Sequence, residues 1–165
     1  MTPERCDECG FDGDAWTDAE ALAAVAELPT RWRDAIEGLD DDELLRRPIP
    51  AMWSIAEYVD HVREVLFGMR FALDSAIERP GIDLGEPPEP RFDPEPRRID
   101  AVAASDGLER EARALVDRLS ELTPADRTAW ATVGGQRVDA HWVVRHALHD
   151  ATHHLLDVER LRAAP

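Results

Sequence analysis

The sequence of 165 residues contains no lysine: all 19 cationic residues are arginine, and with 35 acidic residues the formal charge is −16. The absence of lysine excludes chemistry that proceeds through a lysine Schiff base. Phosphate backbones and anionic lipids repel a strongly negative protein. The shortage of positive charge therefore argues against nucleic acid and anionic membrane surfaces as partners.

Sequence signals of several other protein classes are missing as well. No apolar run approaches the roughly 18 residues of a membrane-spanning helix, and the acidic N-terminus has no signal-peptide pattern. There is no Gly-rich phosphate loop, and Ser120 and Thr123 have no histidine and acid partners at the spacing of a hydrolase triad. We expect a soluble, cytoplasmic protein with a small-molecule substrate.

What the sequence does contain is four stretches in which apolar residues recur at helical spacing. The predicted helices cover residues 17–38, 54–77, 100–122 and 139–161. Thr17 with Glu20, and Ser54 with Glu57, have the spacing of capping boxes, which predict where the first two helices begin. Pro29 interrupts the first helix and predicts a kink or a restart there.

The segments between the helices predict how the chain is connected. Residues 79–98 hold six of the 12 prolines and predict a long crossover loop. Residues 130–138 predict a short hairpin, and the acidic residues 40–43 a capped helical turn. We expect an N-terminal Cys-x-x-Cys arm at 1–16. Residues 17–165 are expected to form one all-α domain, an up-down four-helix bundle with the Pro-rich crossover between its second and third helices.

Five of the six histidines lie in the last helical stretch, from His141 to His154. Each residue of a helix advances by about 100° around its axis. Asp150 and His154 therefore fall near the apolar stripe of this helix, whereas His149 and His153 fall on roughly the opposite face. Two pairs of metal-binding side chains, each spaced by four residues, point in different directions.

His61 lies at the edge of the apolar face of the second helix. A first-row divalent metal accepts imidazole and carboxylate ligands, and three protein ligands leave it an open position for chemistry. His61, Asp150 and His154 therefore predict a metal site inside the bundle. Two alternatives stay open: histidines that only make hydrogen bonds at the core edge, and a register in which His149 and His153 are the inward pair.

Two segments resemble the DinB/YfiT-like superfamily. Trp53-Ser-Ile-Ala-Glu57-Tyr-Val-Asp-His61 is similar to its W-S-x-x-E-x-x-x-H segment, and His153-His154-Leu-Leu-Asp157 to the end of its H-x-x-H-H-x-x-Q helix. The resemblance runs from about residue 19 onward. It implies a four-helix bundle and a divalent metal, zinc, nickel or similar, bound through one histidine on the second helix and a pair on the last.

Carried onto this chain, the resemblance makes His61, Asp150 and His154 the metal ligands. Asp150 stands where many members have histidine and the isomerase branch has glutamate. The superfamily includes the mycothiol-dependent maleylpyruvate isomerase branch and bacillithiol and mycothiol S-transferases. The resemblance thus implies a transferase or isomerase that uses a low-molecular-weight thiol on a small electrophile, and we expect a homodimer. The alternative is a non-catalytic metal-binding or stress-response module, which the short side chain of Asp150 favours.

A second set of ligands begins at Cys6-Asp-Glu-Cys9, which is followed by Gly10 as in a zinc knuckle. Two thiolates do not close a tetrahedral site, so two further ligands are needed. His149 and His153 have a suitable spacing on the outward face of the last helix. We expect these two histidines with Cys6 and Cys9 to bind a structural zinc that pins the N-terminus to this helix. The alternative is a tail with free or redox-labile thiols.

Overall fold

The computed structural model describes residues 4–49, 51–87 and 97–164. Within these residues, four long helices form a bundle, accompanied by a short helix and two hairpins. The helices are α1 (Asp18–Ile36), α2 (Asp41–Leu45), α3 (Ile55–Glu78), α4 (Ala101–Ser120) and α5 (Ala140–Ala163). The strands are β1 (Arg5–Cys6), β2 (Phe11–Asp12), β3 (Trp130–Val133) and β4 (Gln136–Asp139). The predicted four-helix bundle is confirmed.

Both predicted capping boxes are present. The backbone N–H of Thr17 donates to the Glu20 carboxylate at 2.9 Å, and the Glu20 N–H donates to the Thr17 hydroxyl at 3.2 Å. Ser54 and Glu57 make the same two bonds at 2.8 and 3.3 Å. These bonds satisfy N–H groups that have no partner inside the helix. They fix the start of α3, which carries His61 in its second turn.

The helix α1 runs through Pro29 without interruption, so a restart at this residue, one of the two predicted alternatives, is wrong. A proline inside a helix costs about 3 kcal/mol. Leu28 and Trp32, on either side of it, are fully buried. Burial of each such side chain contributes about 1.5–3 kcal/mol, which outweighs the cost of the proline.

The helix directions along the chain are up, down, down, up, so the long crossover between α3 and α4 replaces the simple alternation of an up-down bundle. Arg145 and Arg162 of α5 bond to Asp18 and to the carbonyl of Ala35 in α1, so α1 runs parallel to α5. Arg70 and Asp74 of α3 bond to Glu111 and Arg118 of α4 in the same order, so these two helices run parallel. The start of α3 meets the second half of α5, so this pair is antiparallel. Both α3 and α1 pack against α4 and α5, which places α1 and α3 on a diagonal.

A parallel pair requires a connection that crosses the length of the bundle, and residues 79–98 join α3 to α4. Residues 79–87 and 97–100 contain no helix, and residues 88–96 lie outside the described residues. Leu84 donates its N–H to the carbonyl of Thr132 at 2.8 Å, so this connection packs against the second hairpin, formed by β3 and β4. The second hairpin confirms the strand prediction for residues 130–138.

A single large cluster of buried apolar side chains fills the space between the long helices. Its largest fully buried members include Leu28, Trp32, Leu66, Leu73, Leu108, Leu115 and Leu148. A smaller cluster forms where the second hairpin covers the end of α3, through Ala72, Ala76, Ala131 and Val138. None of the helices in the described residues has the length and apolarity needed to cross a membrane.

Candidate metal centres

The bundle cluster consists of His61 on α3 with Asp150 and His154 on α5, the three residues predicted from spacing. The Nε2 atom of His61 lies 3.7 Å from Oδ2 of Asp150, and Nε2 of His154 lies 3.9 Å from the same oxygen. Tetrahedral zinc with ordinary bond lengths separates its ligand atoms by about 3.3–3.8 Å. All three ligand atoms lie within 4.8 Å of one another, close to this spacing, and so surround a space of about the size of one cation.

The surroundings of the bundle cluster leave a carboxylate oxygen without a partner. Among the described residues, Oδ1 of Asp150 is buried and accepts no hydrogen bond. Such an atom carries a desolvation cost unless something binds it. The side chains of His61, Asp150 and His154 are 14, 18 and 17% exposed, so the cluster lies at the edge of the core within reach of solvent. Residue types, spacing and the orphaned oxygen all fit a divalent cation.

Asp157 orients His154. Its Oδ2 atom lies 2.9 Å from Nδ1 of His154, while its Oδ1 accepts a bond from Arg160 at 3.0 Å. A carboxylate on one ring nitrogen fixes the tautomer and leaves the other nitrogen free as a metal ligand. Burial lowers the pKa of His154 and outweighs the opposing charge of Asp150, which favours the neutral imidazole that a metal requires.

The aromatic residues Trp53 and Tyr58 flank the two histidines. The ring of Trp53 lies 4.9 Å from that of His61, and the ring of Tyr58 lies 5.0 Å from that of His154. Burial and the negative charge of Asp157 raise the pKa of Tyr58 to about 12, so its hydroxyl stays protonated at neutral pH. Burial opposes ionisation of Asp150, but the nearby imidazoles of His61 and His154 outweigh it and lower that pKa.

Three acidic residues close to His61 in sequence serve other partners. Glu57 completes the helix cap and accepts a bond from Arg47 at 2.7 Å. Asp60 and Glu64 both pair with Arg63. The carboxylate that does support the cluster belongs to Asp157, three residues after His154. Residues at this spacing are neighbours on a helix, but Asp157 is not among the residues predicted from sequence.

The hairpin cluster consists of Cys6, Cys9, His149 and His153, the second predicted set. One potential ligand atom from each of the four residues lies within 4.8 Å of the others. The Sγ atom of Cys6 is 3.5 Å from Nδ1 of His153. Cys6 and Cys9 are free thiols. The two predicted ligand sets are thus assembled on different sides of α5, and the alternative register, with His149 and His153 facing His61, is not adopted.

The two clusters nearly touch along α5. His153 belongs to the hairpin cluster and His154 to the bundle cluster, and their ring centroids are 5.3 Å apart. A third grouping, His153 with His154 and Asp157, also has close ligand atoms, but it draws its histidines from the other two. It therefore describes the border between the clusters and adds no independent site.

Comparison with known proteins agrees with this architecture. No curated protein sequence matches the chain. Among solved structures, YfiT from Bacillus subtilis, described as a probable metal-dependent hydrolase with an unusual four-helix bundle topology, has a TM-score of 0.69 at 13% identity. The match covers 90% of this chain and 89% of that one, and it shows a shared fold. The sequence profile of the DinB superfamily matches residues 19–158, so the chain belongs to the DinB superfamily.

Proposed function

We propose that this chain is a divalent-metal-dependent enzyme of the DinB group whose reaction takes place at the bundle cluster. The observation that carries the proposal is the convergence of His61, Asp150 and His154 from two helices around one cation-sized space. The unsatisfied Oδ1 of the same Asp150 carboxylate supports it, because a carboxylate can bind a cation through both oxygens, which would give this buried oxygen a partner.

The ligand set favours zinc, nickel or a similar first-row ion, since two imidazoles and one carboxylate suit this part of the series. Three protein ligands leave a coordination position for a reactant. A cation bound there would act as a Lewis acid that lowers the pKa of a coordinated thiol or water, or polarises a carbonyl. The roles of the chain's own residues are to hold, orient and shield that position.

The residues that surround the three ligands can perform these roles. Asp157 holds the Nδ1 proton of His154, which keeps Nε2 directed at the cluster. Tyr58 is 6% exposed and its phenol is protonated, so it can donate to Asp157 without adding a charge. Trp53 covers His61 with an indole ring and limits the water that reaches it.

We propose a reaction that transfers a low-molecular-weight thiol of the mycothiol type to a small electrophile, or isomerises such an electrophile with the thiol as cofactor. The same Lewis-acid position also suits water as the nucleophile, and YfiT is described as a probable metal-dependent hydrolase. The alternative function is a non-catalytic metal-binding or stress-response module, which the short carboxylate of Asp150 favours.

One assay separates these possibilities. The purified chain is incubated with several low-molecular-weight thiols and a chromogenic electrophile, and separately with an activated ester in water, each with and without added zinc or nickel. Metal-dependent turnover that is lost in His61→Ala supports the enzyme, and the productive nucleophile defines its class. The control is His141→Ala, because His141 is an exposed histidine of α5 outside both clusters. Stoichiometric metal binding without turnover of any substrate would establish the module instead.

A further inference from the structure

We propose that the hairpin cluster is a second metal site, a structural zinc centre in which Cys6, Cys9, His149 and His153 close a tetrahedron and fasten the N-terminal hairpin, β1 with β2, to the outer side of α5. Four protein ligands leave no open position, which is the mark of a structural site. The proposal is independent of the function proposed for the bundle cluster, because the two clusters share no ligand.

The backbone of the N-terminal hairpin presents both thiols to one point. Cys6 pairs with Phe11 across the two strands, and the N–H of Gly10 donates to the carbonyl of Cys6 at 2.9 Å. Gly10 has a φ of +72°, a conformation that glycine adopts without strain. This tight turn places Cys9 beside Cys6 with its sulfur on the same side of the hairpin.

Backbone N–H groups lie close to both sulfur atoms: those of Cys9 and Glu8 are near the sulfur of Cys6, and that of Phe11 is near the sulfur of Cys9. Two thiolates around a divalent ion give a neutral centre, and the displaced thiol protons pass to solvent on binding.

His149 is held in the tautomer that a metal ligand needs. Its Nδ1 lies 2.7 Å from the carboxylate of Glu4, which also bonds to His146 at 2.9 Å. Among the described residues, Nε2 of His149 is buried and has no hydrogen-bond partner. Zinc-bound histidine typically has a carboxylate on one ring nitrogen and the metal on the other, and the unpartnered Nε2 of His149 would be the nitrogen that binds the metal. Phe11 stacks on the ring at 4.7 Å and restricts its rotation.

His153 completes the set from the next turn of α5. Its Nδ1 faces the sulfur of Cys6 at 3.5 Å, and its Nε2 lies 3.5 Å from the carboxylate of Glu8. Glu8 comes from the loop between the two cysteines and plays the part for His153 that Glu4 plays for His149. Each imidazole thus has one ring nitrogen near an acidic residue of the N-terminal segment, and its other nitrogen faces the thiols.

The test uses the full chain, purified under reducing conditions, and substitutes cobalt for the bound metal. A cobalt ion held by thiolates has a sulfur-to-metal charge-transfer absorption in the near ultraviolet, which imidazole and carboxylate ligands do not produce. We expect this band in the wild-type protein and in His61→Ala, which alters only the bundle cluster. We expect it to be lost in Cys9→Ser and in His149→Ala, with one zinc per chain lost by elemental analysis.

Two measurements guard against unfolded variants. The His141→Ala control, on the same helix, should keep the band and the zinc. Release of zinc from the wild-type protein by a mercurial reagent should lower Tm by at least about 5 °C without any substitution. Reduced wild-type protein without the thiolate band, or zinc content unchanged in both Cys9→Ser and His149→Ala, would overturn the proposal.

Discussion

The bundle cluster joins α5 to α3 through two imidazoles and a carboxylate, whereas the hairpin cluster joins α5 to the N-terminal hairpin through two imidazoles and two thiols. Both use a pair spaced by four residues on α5, and the pairs, 149 with 153 and 150 with 154, are offset by one residue. One residue rotates the side chain by about 100°, so the same spacing serves two sides of the helix. Ligand number and type then separate the proposed roles: three nitrogen and oxygen ligands for chemistry, and four ligands that include two thiols for structure.

The two regions also differ in how they are held without a metal. The start of α3, below the bundle cluster, depends on Glu57, which is 1% exposed and bonds to the Ser54 and Arg97 backbone N–H groups and to Arg47. The N-terminal hairpin depends on Arg145 of α5, which is 7% exposed. In each region a single buried residue thus makes several of these bonds, a carboxylate in the first case and a guanidinium in the second.

The largest effect is expected for removal of a ligand on one side only. His61→Ala takes an imidazole from the bundle cluster and should weaken divalent-cation binding there by more than about 100-fold, beyond the effect of losing an outer hydrogen-bond partner. The hairpin cluster should keep its zinc. His149→Ala should produce the reverse pattern. Elemental analysis and calorimetric titration measure both, and metal content that falls equally in the two variants would mean that the clusters are not separate sites.

Glu57→Gln should give the next largest effect, on stability. Removal of one partner from a buried ion pair typically costs about 3–5 kcal/mol, because the remaining charge stays buried. Arg47 keeps its positive charge in this variant and loses the carboxylate of Glu57, and its side chain is only 6% exposed. Urea denaturation measures the loss. The matched control is Glu20→Gln, which removes the carboxylate of the other capping box, where Glu20 is exposed and its partner is Thr17. A loss no larger than that of the control would contradict the buried-pair argument.

The same residue predicts a pH dependence. Although burial opposes ionisation, bonds from Arg47 and from the Ser54 and Arg97 backbone lower the pKa of Glu57 to about 2, against 4.5 for the free side chain. As the pH falls, the unfolded chain therefore takes up this proton first, and acid favours unfolding. The stability contributed by Glu57 should be complete above pH 4.5 and lost as the pH falls towards 2, an effect of about 3 kcal/mol. The Glu57→Gln variant should show a flatter acid limb.

Much of this fold could be predicted from sequence because its signals are local. The capping boxes at Thr17 and Ser54 depend on a spacing of three residues, and each ligand pair of α5 on a spacing of four. Periodicity in the last helix was enough to assign Asp150 and His154 to one side and His149 to another. These features depend on the helical period, which places side chains three or four residues apart on the same face of a helix.

Distant contacts could be predicted only where metal-ligand chemistry suggested them, as at the two clusters. Other distant contacts could not be predicted. Glu4 bonds to His149 across 145 residues, and no spacing rule connects them. The burial of Arg145 depends on carbonyl acceptors in the loop before α1, far from α5 in sequence. The parallel arrangement of α3 and α4 follows from a long crossover, whose length permits either direction. At Pro29 the local rule allowed a kink or a restart, and only the restart is excluded, because burial of neighbouring side chains keeps the helix continuous.

Arg145→Met should have a smaller effect than the loss of Glu57 and should act on the other region. Arg145 donates to the carbonyls of Gly13 and Trp16 and to Asp18, which hold the start of α1 and the N-terminal hairpin against α5. Methionine keeps the apolar stem, so the cost, about 2 kcal/mol, reflects the unsatisfied carbonyls. Asp18 is half exposed and can be solvated instead.

Hydrogen exchange and urea denaturation of Arg145→Met provide the check. Exchange should rise first in residues 4–16, with the bundle cluster unaffected. The matched control is Arg162→Met, because Arg162 also donates to a carbonyl, that of Ala35 at 2.6 Å, but lies exposed at the end of α5. If the N-terminal hairpin keeps its protection in Arg145→Met, the zinc ligands alone hold it, and the importance assigned to Arg145 is wrong.

The finest distinction between the two clusters concerns Asp157, which lies near both. Its Oδ2 is 2.9 Å from Nδ1 of His154 but 4.0 Å from Nε2 of His153, so it supports only the bundle cluster by a hydrogen bond. Asp157→Asn preserves shape and an acceptor oxygen but removes the charge. Cation affinity at the bundle cluster should fall by about tenfold, the lower end of the range for such outer partners, and affinity at the hairpin cluster should not change. Titration with the exposed Glu159→Gln as control measures this, and an equal fall at both clusters would show that Asp157 acts through α5 as a whole rather than through His154.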